Sequence, residues 1–385
     1  MLDAIYVALT GLQGFSRSLN QVANNTANIN TPGFKTASVP LVDAFYTESQ
    51  QGQMGHGMKT LDAVRNFSQG EIRTTGAPLD LAIDGQGFFM LQGTQGERRY
   101  TRAGKFGVTA EGLLQHTADG AAVLDASAKP ISIADRKNQT GRATSKLTFR
   151  GNLSSTADTV DLSSISLIDP EGKEHTASLS ATRDTSASPL TWKLKLSEGS
   201  TVLGEASVVF VDGVPTAETA KPALSLALSG AASQTVTLDL SSDVTSFAAG
   251  TSSSFALLNR DGFTAGTLSS VGFNISGHVM LGYSNGQSEQ GPQIGLARFD
   301  PRITLKPEGD NQFSVEKGVE PEIGAAGQGG FGTLRPGGIE ASNVDLTREL
   351  TELIALQRGY QASSQVLGTA SEMLEKLFDL KGSKK

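Results

Sequence analysis

Cysteine is absent from all 385 residues, so disulfide bonds, zinc–thiolate sites and thiol catalysis are excluded. Aromatic residues make up only 6 % of the chain, against 44 glycines, which favours a turn-rich β body with modest cores. No stretch of 18 apolar residues occurs, so the sequence predicts no membrane-spanning helix. The net charge is −7 without a basic stripe, so we expect neither nucleic acid nor a membrane as partner.

The N-terminus also lacks the marks of a cleavable signal. Met1, Leu2 and Asp3 provide no basic segment, and residues 20–30 are too polar to serve as the hydrophobic one. We therefore expect a protein that stays in the cytosol or leaves the cell by a route that does not read such signals.

The sequence offers few candidates for chemistry. Residues 282–286 match the G-x-S-x-G pattern of a serine nucleophile, but that pattern requires a following helix, and Asn285-Gly286 predicts a hairpin turn. Residues 85–87 lack the third glycine of a dinucleotide-binding loop. The four histidines, at 56, 116, 175 and 278, share no metal-ligand spacing. We therefore predict no catalytic, cofactor-binding or metal site and no enzyme; a hydrolase using Ser284 is the alternative.

A helical stripe dominates the C-terminal end of the chain, over residues 342–380. Its members recur at alternating steps of four and three, a period typical of a helix packed along another helix. They are Leu346, Leu350, Leu353, Gln357, Tyr360, Ser364, Leu367, Ser371, Leu374 and Phe378. Ser342 is the predicted N-cap, and Lys381 with Gly382 predicts the end of the helix. Such a helix would be roughly 55 Å long and needs a partner.

The opposite end of the chain, over residues 3–27, offers that partner. Its stripe has the same steps and consists of Leu2, Ile5, Leu9, Leu12, Phe15, Leu19 and Val22. A turn signal, Pro32-Gly33, follows the predicted helix. We therefore predict a coiled-coil-like pair of long N- and C-terminal helices, with the middle of the chain looped out between them.

The middle of the chain predicts short, mainly antiparallel strands in nested domains. Leu81 and Ile83 alternate with Ala82 and polar neighbours, which predicts a half-buried strand, and Asp84-Gly85 predicts a hairpin turn. A Ser/Thr-rich composition marks an inserted all-β domain. The α+β fold is thus predicted in four parts: a helical domain 1–30 plus 342–385, an extended connector 31–70 plus 325–341, a β domain 71–147 plus 260–324, and the inserted domain 148–259.

Several short segments carry a specific signature. They read NNTANINTPGFK at 24–35, DLAIDGQGFF at 80–89, YTRAG at 100–104, SNVDL at 342–346 and QRGYQA at 357–362. These segments resemble those of the bacterial flagellar rod and hook proteins. DGFTAG at 261–266, YSNG at 283–286 and QIGLA at 293–297 are similar to the hook members rather than the rod members. The resemblance covers 1–145 and 260–385, and the insertion matches loosely.

The resemblance implies a polymer whose inner tube is formed by the terminal helices, with the first β domain as a middle layer and the insertion outside. It implies a curved, flexible tube that passes motor torque to the filament and encloses the export channel. The implied partners are further copies of the chain, rod proteins, a hook–filament junction protein, a hook scaffolding cap and the flagellar type III export apparatus. The implied location is the extracellular flagellum, reached without a cleaved signal peptide.

The stripes and the signature together predict the residues that pack subunits into an assembly. They are Ile5, Leu9, Leu12, Phe15, Leu19, Val22, Asn25, Asn28, Pro32, Gly33, Phe34, Asn343, Leu346, Leu350, Leu353, Gln357, Tyr360, Leu367, Leu374 and Phe378. A distal rod subunit, which would form a rigid shaft, is the nearest alternative. A secreted β-rich adhesin would explain the Ser/Thr-rich strands but not the paired helices.

Overall fold

The computed structural model describes residues 2–44, 46–49, 52–300, 303, 305–316 and 318–382. A long α-helix occupies each end, α1 Leu2–Ala27 and α2 Leu346–Gly382, and the described residues between them form short strands with one 3-10 turn at Ala134–Arg136. The predicted mainly β body between two terminal helices is thereby confirmed. Within the described chain, neither helix has an apolar stretch sufficient to cross a membrane.

The strands of the described residues are numbered in chain order. The first part of the chain contains β1 Ala37–Ser38, β2 Leu41–Asp43, β3 Tyr46–Ser49, β4 Gly52–Gly55, β5 Met58–Thr60, β6 Val64–Arg65, β7 Ile72–Thr74, β8 Leu81–Asp84, β9 Phe88–Gln92, β10 Arg98–Thr101, β11 Phe106–Val108, β12 Leu114–His116 and β13 Ala122–Val123. The middle contains β14 Asn138–Gln139, β15 Lys146–Asn152, β16 Thr159–Ile168, β17 Glu174–Asp184, β18 Leu190–Glu198, β19 Thr201–Val211, β20 Val214–Pro215, β21 Ala223–Leu226, β22 Gln234–Thr245 and β23 Ala256–Arg260. The last part contains β24 Gly266–Phe273, β25 His278–Tyr283, β26 Ser288–Gln293, β27 Leu296–Arg298, β28 Lys306–Gly309, β29 Gln312–Ser314, β30 Glu322–Gly324, β31 Thr333–Pro336 and β32 Gly338–Glu340.

The chain divides into two compact units. Unit 1 comprises Met1–Ala134, Val271–Met280 and Gln290–Lys385, and unit 2 comprises Asp135–Ser270 and Leu281–Glu289. Both helices therefore belong to unit 1, and unit 2 interrupts unit 1 in chain order. The finer division into four parts stays a prediction.

Unit 1 is built around a nine-stranded sheet. Its main path runs β11-β12-β13-β9-β10-β29-β28, and β27 pairs with both β9 and β30. Aromatic rings fill its core edge to face, with ring centroids of Phe67 and Phe313 at 5.3 Å and of Tyr100 and Phe299 at 4.7 Å. Edge-to-face contacts at such distances add stability beyond the buried area.

Strand β8 differs from its prediction in two respects. Leu81, Ala82 and Ile83 are all fully buried, so the strand is not half-buried. It pairs with β31, whereas β9 belongs to the nine-stranded sheet, so the turn at Gly85 joins two sheets and is not a hairpin. The alternation misled because both faces of β8 are covered. A Cβ on Gly104 would lie 1.7 Å from the carbonyl oxygen of Leu81, so a bare backbone packs against the strand.

Unit 2 contains two larger sheets. One is the antiparallel meander β16-β17-β18-β19-β20, and the other is β21-β22-β15-β23, in which β15 and β22 are parallel. On β18, Trp192, Leu194 and Leu196 are fully buried while Lys193 and Lys195 are exposed, the alternation of a strand with one covered face. These three residues belong to one hydrophobic core shared by both sheets.

The N-terminus of α2 is capped by a residue other than the predicted one. Asp345 Oδ1 accepts hydrogen bonds from the amides of Thr347 at 2.9 Å and Arg348 at 3.2 Å, so Asp345 is the N-cap and Ser342 is not. The Ser342 hydroxyl instead accepts a bond from the amide of Val344, before the helix begins. An aspartate at this position satisfies free amides and complements the positive end of the helix dipole.

Candidate assembly site

The two helices pack against each other through small side chains. A Cβ on Gly11 would lie 2.9 Å from Ser363 Oγ, and one on Gly359 would lie 2.7 Å from the Phe15 ring. The buried residues of α1 are Ala8, Gly11, Gly14, Ser18, Val22 and Asn25. Small residues allow two helix backbones to approach closely, so this seam is narrower than one lined by leucines.

The stripe predicted on α1 lies partly on this seam, since the Phe15 ring meets Gly359 of α2. Val22 and Asn25 are buried. Ile5, Leu12, Phe15 and Leu19 are half-buried, as is Asn28 just after the helix. Leu9 is 54 % exposed, so it lies outside the buried contact within one chain, and its predicted role in packing subunits stays a prediction.

The stripe predicted on α2 is turned further from the seam. Leu353, Leu367 and Leu374 are half-buried. The remaining members are exposed, namely Leu346, Leu350, Gln357, Tyr360, Ser364, Ser371 and Phe378. Glu349, Leu356 and Ala370 are the buried positions. The exposed members therefore lie away from the buried contact between the helices, and the role in packing subunits predicted for Leu346, Leu350, Gln357, Tyr360 and Phe378 stays a prediction.

Both helices consequently present large apolar side chains to solvent. On α1 these are Leu2, Tyr6, Val7 and Leu9, and on α2 they are Leu346, Leu350, Ile354, Tyr360, Val366, Met373, Leu377 and Phe378. We call these residues the outer apolar faces. Leu346, Leu350 and Ile354 recur every four residues and so share one side of α2, and a large exposed apolar surface marks a site for protein–protein contact.

The C-terminal end of α1 is held to α2 by a buried amide. Asn25 Nδ2 donates to the carbonyl of Ala37 at 2.9 Å and to the Glu349 carboxylate at 3.1 and 3.2 Å, and its Oδ1 accepts from the amide of Ala37. Glu349 is only 6 % exposed. Burial raises the pKa of Glu349 above its ordinary value, although the bond from Asn25 opposes the rise.

The signature loop after α1 is fixed from several sides. Gly33 has a φ of +71°, and a Cβ there would lie 2.4 Å from the amide nitrogen of Ala103, so glycine is required. The carbonyl of Pro32 accepts a bond from Asn311 Nδ2 at 2.9 Å, and Phe34 is buried. The loop is therefore anchored to the β strands of unit 1.

Asn343 anchors the chain just before α2. Its Oδ1 accepts from the amide of Thr36 at 2.8 Å, and its Nδ2 donates to the carbonyls of Asn66 at 2.8 Å and Ser68 at 3.0 Å. One side chain thus joins three segments that are distant in sequence. Asparagine suits this place because its amide both donates and accepts.

A buried ion triad lies beside these anchors. Lys35 Nζ is 2.6 Å from Glu340 Oε1, and Arg102 Nη1 is 3.2 Å from Glu340 Oε2. The side chains of Lys35 and Glu340 are fully buried, and that of Arg102 is 6 % exposed. Burial lowers the pKa of Lys35, and Glu340 acts in the opposite direction. We call this cluster the Lys35–Glu340–Arg102 triad.

Backbone groups complete the triad. Lys35 also donates to the carbonyl of Ser68 at 2.7 Å, Arg102 donates to the carbonyl of Gly85 at 2.7 Å, and Glu340 accepts from the amide of Gly70 at 2.9 Å. Buried charges persist when they are paired and hydrogen-bonded in this way. No spacing pattern in the sequence predicted the triad, although all three residues lie in or beside segments of the signature. Their charge among glycines and apolar residues was the available signal.

The serine motif is a turn. Ser284 lies between β25 and β26, and its hydroxyl accepts a hydrogen bond from the amide of Thr267 at 3.0 Å. The amide of Gly286 bonds the carbonyl of Tyr283, which closes the turn as predicted. Because a strand follows Ser284 instead of a helix, the motif lacks the geometry of a nucleophile elbow. Among the described residues, no group of three or more histidines or carboxylates is placed to hold a metal ion.

Three family models match the regions just described. They are Flagella basal body rod protein at residues 5–35, Flagellar hook protein FlgE/F/G D1 domain at 82–152, and Flagellar basal body rod FlgEFG protein C-terminal at 335–380. The first and last matches include most of the two helices together with Lys35, Glu340 and Asn343. The middle match includes Arg102. The fold and these matches define the class of the protein as a structural component of the flagellar rod and hook.

Individual relatives narrow this class. The flagellar hook protein FlgE of Rhizobium meliloti (strain 1021) is 30 % identical over 405 residues, covering 97 % of each chain. That of Escherichia coli (strain K12) is 28 % identical over 410 residues, covering 97 % of this chain and 99 % of the relative. The basal-body rod protein FlgG of Bacillus subtilis (strain 168) is 25 % identical, covering 99 % and 100 %. This chain belongs to the flagellar hook protein family, which is structural and non-enzymatic.

Proposed function

We propose that this chain is the structural subunit of a bacterial flagellar hook and that its outer apolar faces pack against neighbouring copies. The observation that carries the proposal is the exposure of large apolar residues on α2, where Leu350 is 46 % and Ile354 is 52 % exposed. The helix pair leaves this surface uncovered because the contact between the helices lies on another side of α2, at Glu349, Gly359 and Ser363. Neighbouring helices in a tube would bury it, with a gain of about 25 cal/mol for each Å² covered.

The proposed tube is curved and flexible, encloses the export channel and carries motor torque. The Lys35–Glu340–Arg102 triad and Asn343 join the helical ends to the β strands of unit 1, so a load on the strands reaches the helices through buried contacts. The predicted packing residues, the coiled-coil character of the pair and the layered arrangement of the four parts belong to this proposal.

The proposed partners follow from the place of a hook in the flagellum. They are further copies of the chain, rod proteins at the proximal end, a hook–filament junction protein at the distal end, a hook scaffolding cap and the type III export apparatus. The family places the protein in the flagellum. Export without a cleaved signal peptide remains part of the proposal.

A distal rod subunit is the second candidate, favoured by the similarity to a basal-body rod protein over nearly the full chain. The two candidates differ in the shape of the polymer. Electron microscopy of the concentrated, purified chain should show curved tubes if it forms a hook and straight, rigid shafts if it forms a rod.

The same assay tests the outer apolar faces. Leu350→Asp places a charge on the exposed apolar surface of α2, and we expect it to abolish tube formation while the circular dichroism spectrum stays unchanged. Thr351→Asp is the matched control, because it adds the same charge to the neighbouring exposed residue. Normal tubes from Leu350→Asp would contradict the proposed packing surface.

A further inference from the structure

A buried histidine in unit 2 lies between two carboxylates. His175 on β17 is 4 % exposed, with Nε2 3.0 Å from Asp169 Oδ2 and Nδ1 2.8 Å from Glu198 Oε1. A neutral imidazole has a single N–H donor, so only the imidazolium can donate to both carboxylates. The geometry therefore requires a bound proton.

The two carboxylates extend this contact to three turns of the chain. Asp169 accepts a hydrogen bond from the amide of Lys173 at 2.8 Å, within the turn between β16 and β17. Glu198, at the end of β18, accepts a bond from the amide of Ser229 at 3.1 Å, in the turn after β21. One imidazolium thus ties together turns that are far apart in sequence.

We propose that Asp169, His175 and Glu198 form a proton-controlled latch at this end of unit 2. With the proton bound, the ring holds the three turns together. Without it, one ring nitrogen faces a carboxylate with no hydrogen between them, and the repulsion releases that contact. Nothing in this latch depends on the helices or on the assembly of subunits.

The electrostatics of the described residues agree with this geometry. The hydrogen bond to Asp169, followed by that to Glu198, raises the pKa of His175 above its ordinary value of 6.5. Lys173 acts on Glu198 and not on the ring, and Ser229 contributes only its amide. The protonated ring therefore stabilises the latch fully below pH 6.5, which is the ordinary pKa of histidine in an unfolded chain. This stabilisation is lost as the pH rises through the raised pKa of His175.

The carboxylates set the acid limit of the latch. The bond from His175 lowers the pKa of Glu198 below 4.5. Burial would raise the pKa of Asp169, but its bonds from His175 and Lys173 outweigh burial and lower it below 3.8. Because the pKa values of both carboxyl groups are lowered, their stabilising contribution is fully present above pH 4.5. It is lost only as the pH falls through the lowered pKa values. The latch is thus closed in mildly acidic solution and opens as the pH rises through the raised pKa of His175.

The test uses the full chain and two readouts. A nuclear magnetic resonance titration should show the His175 ring titrating above 6.5. Hydrogen-exchange protection factors, corrected for intrinsic rates, should fall for the amides of Lys173 and Ser229 through the same pH range. A ring that titrates at or below 6.5, or protection that is constant through its titration, would overturn the proposal.

Two variants separate the latch from general effects of charge. Asp169→Asn keeps the shape but removes one charged acceptor, so the titration of the ring and the loss of protection should both move to lower pH. Glu171→Gln removes the same charge from an exposed position in the same turn and should leave both unchanged. Equal shifts in the two variants would show that net charge, and not the contact with His175, controls these turns.

Discussion

Glu340→Gln tests whether the Lys35–Glu340–Arg102 triad holds the junction between the helices and the β strands of unit 1. The change keeps the size of the side chain but leaves two buried cations facing a neutral amide. Lys35 is fully buried and Arg102 is 6 % exposed, so water cannot replace the lost charge. Removing one partner of a buried ion pair costs about 3–5 kcal/mol of stability, and we expect a loss in that range.

An exposed ion pair in the same unit provides the control. Arg298 Nη2 lies 2.5 Å from Glu322, with side chains 29 % and 56 % exposed. Glu322→Gln removes the same charge from a contact that is at least as short, and we expect a loss below about 1 kcal/mol because solvent screens the pair. The difference between the two variants therefore measures the effect of burial and not of distance.

The assay is hydrogen exchange of the full chain at increasing urea concentration. Because the chain contains two compact units, a single unfolding midpoint would not give a free energy for unit 1 alone. The peptide covering residues 66–72 contains the amide of Gly70, which bonds Glu340, and the peptide covering residues 338–343 contains Glu340 itself. Together they report the stability of the contacts around the triad. A loss in Glu340→Gln no greater than that in Glu322→Gln would refute the reasoning.

Two further changes test the helix pair. Gly359→Ala should lower its stability by about 1–3 kcal/mol, because the new methyl group meets the Phe15 ring, whereas Gly368→Ala, in open space, should raise it by about 1 kcal/mol. Hydrogen exchange of the amides in α1 and α2 at increasing urea concentration measures both changes, and equal effects would contradict the close contact at Gly359. Glu349→Gln should stabilise the pair at a pH above the raised pKa of Glu349, because burial raises that pKa and penalises the charged carboxylate; the gain should shrink as the pH falls through the raised value and be absent below 4.5. Glu372→Gln, at an exposed position further along α2 that does not act on Glu349, is its control, and a gain that did not depend on pH would argue against this explanation.

The sequence identified the helices and the class of protein because these depend on local patterns. A regular period of apolar residues is sufficient to place a helix, and α1 and α2 lie close to their predicted positions. The period cannot say which of two adjacent stripes faces the partner, because both have the same spacing. On α2 the deciding factor was the size of Gly359 and Ser363, which a count of apolar residues ignores.

The junction could not be predicted from local patterns. Lys35, Arg102 and Glu340 meet only after strands separated by more than two hundred residues have paired, as do Asn343 and the carbonyl of Asn66. For the same reason, β8 was assigned a hairpin with the following strand, since its actual partner β31 lies far along the chain. Contacts of this kind depend on tertiary structure and leave little trace in the spacing of neighbouring residues.

The exposed apolar residues of the terminal helices connect helix stability with polymer growth. The helix pair leaves Leu350 46 % and Ile354 52 % exposed, so part of the hydrophobic stabilisation that the sequence could supply is not realised within one chain. Because packing supplies most of the stability of a helix, we expect each added copy that covers these residues to strengthen the helices that it joins.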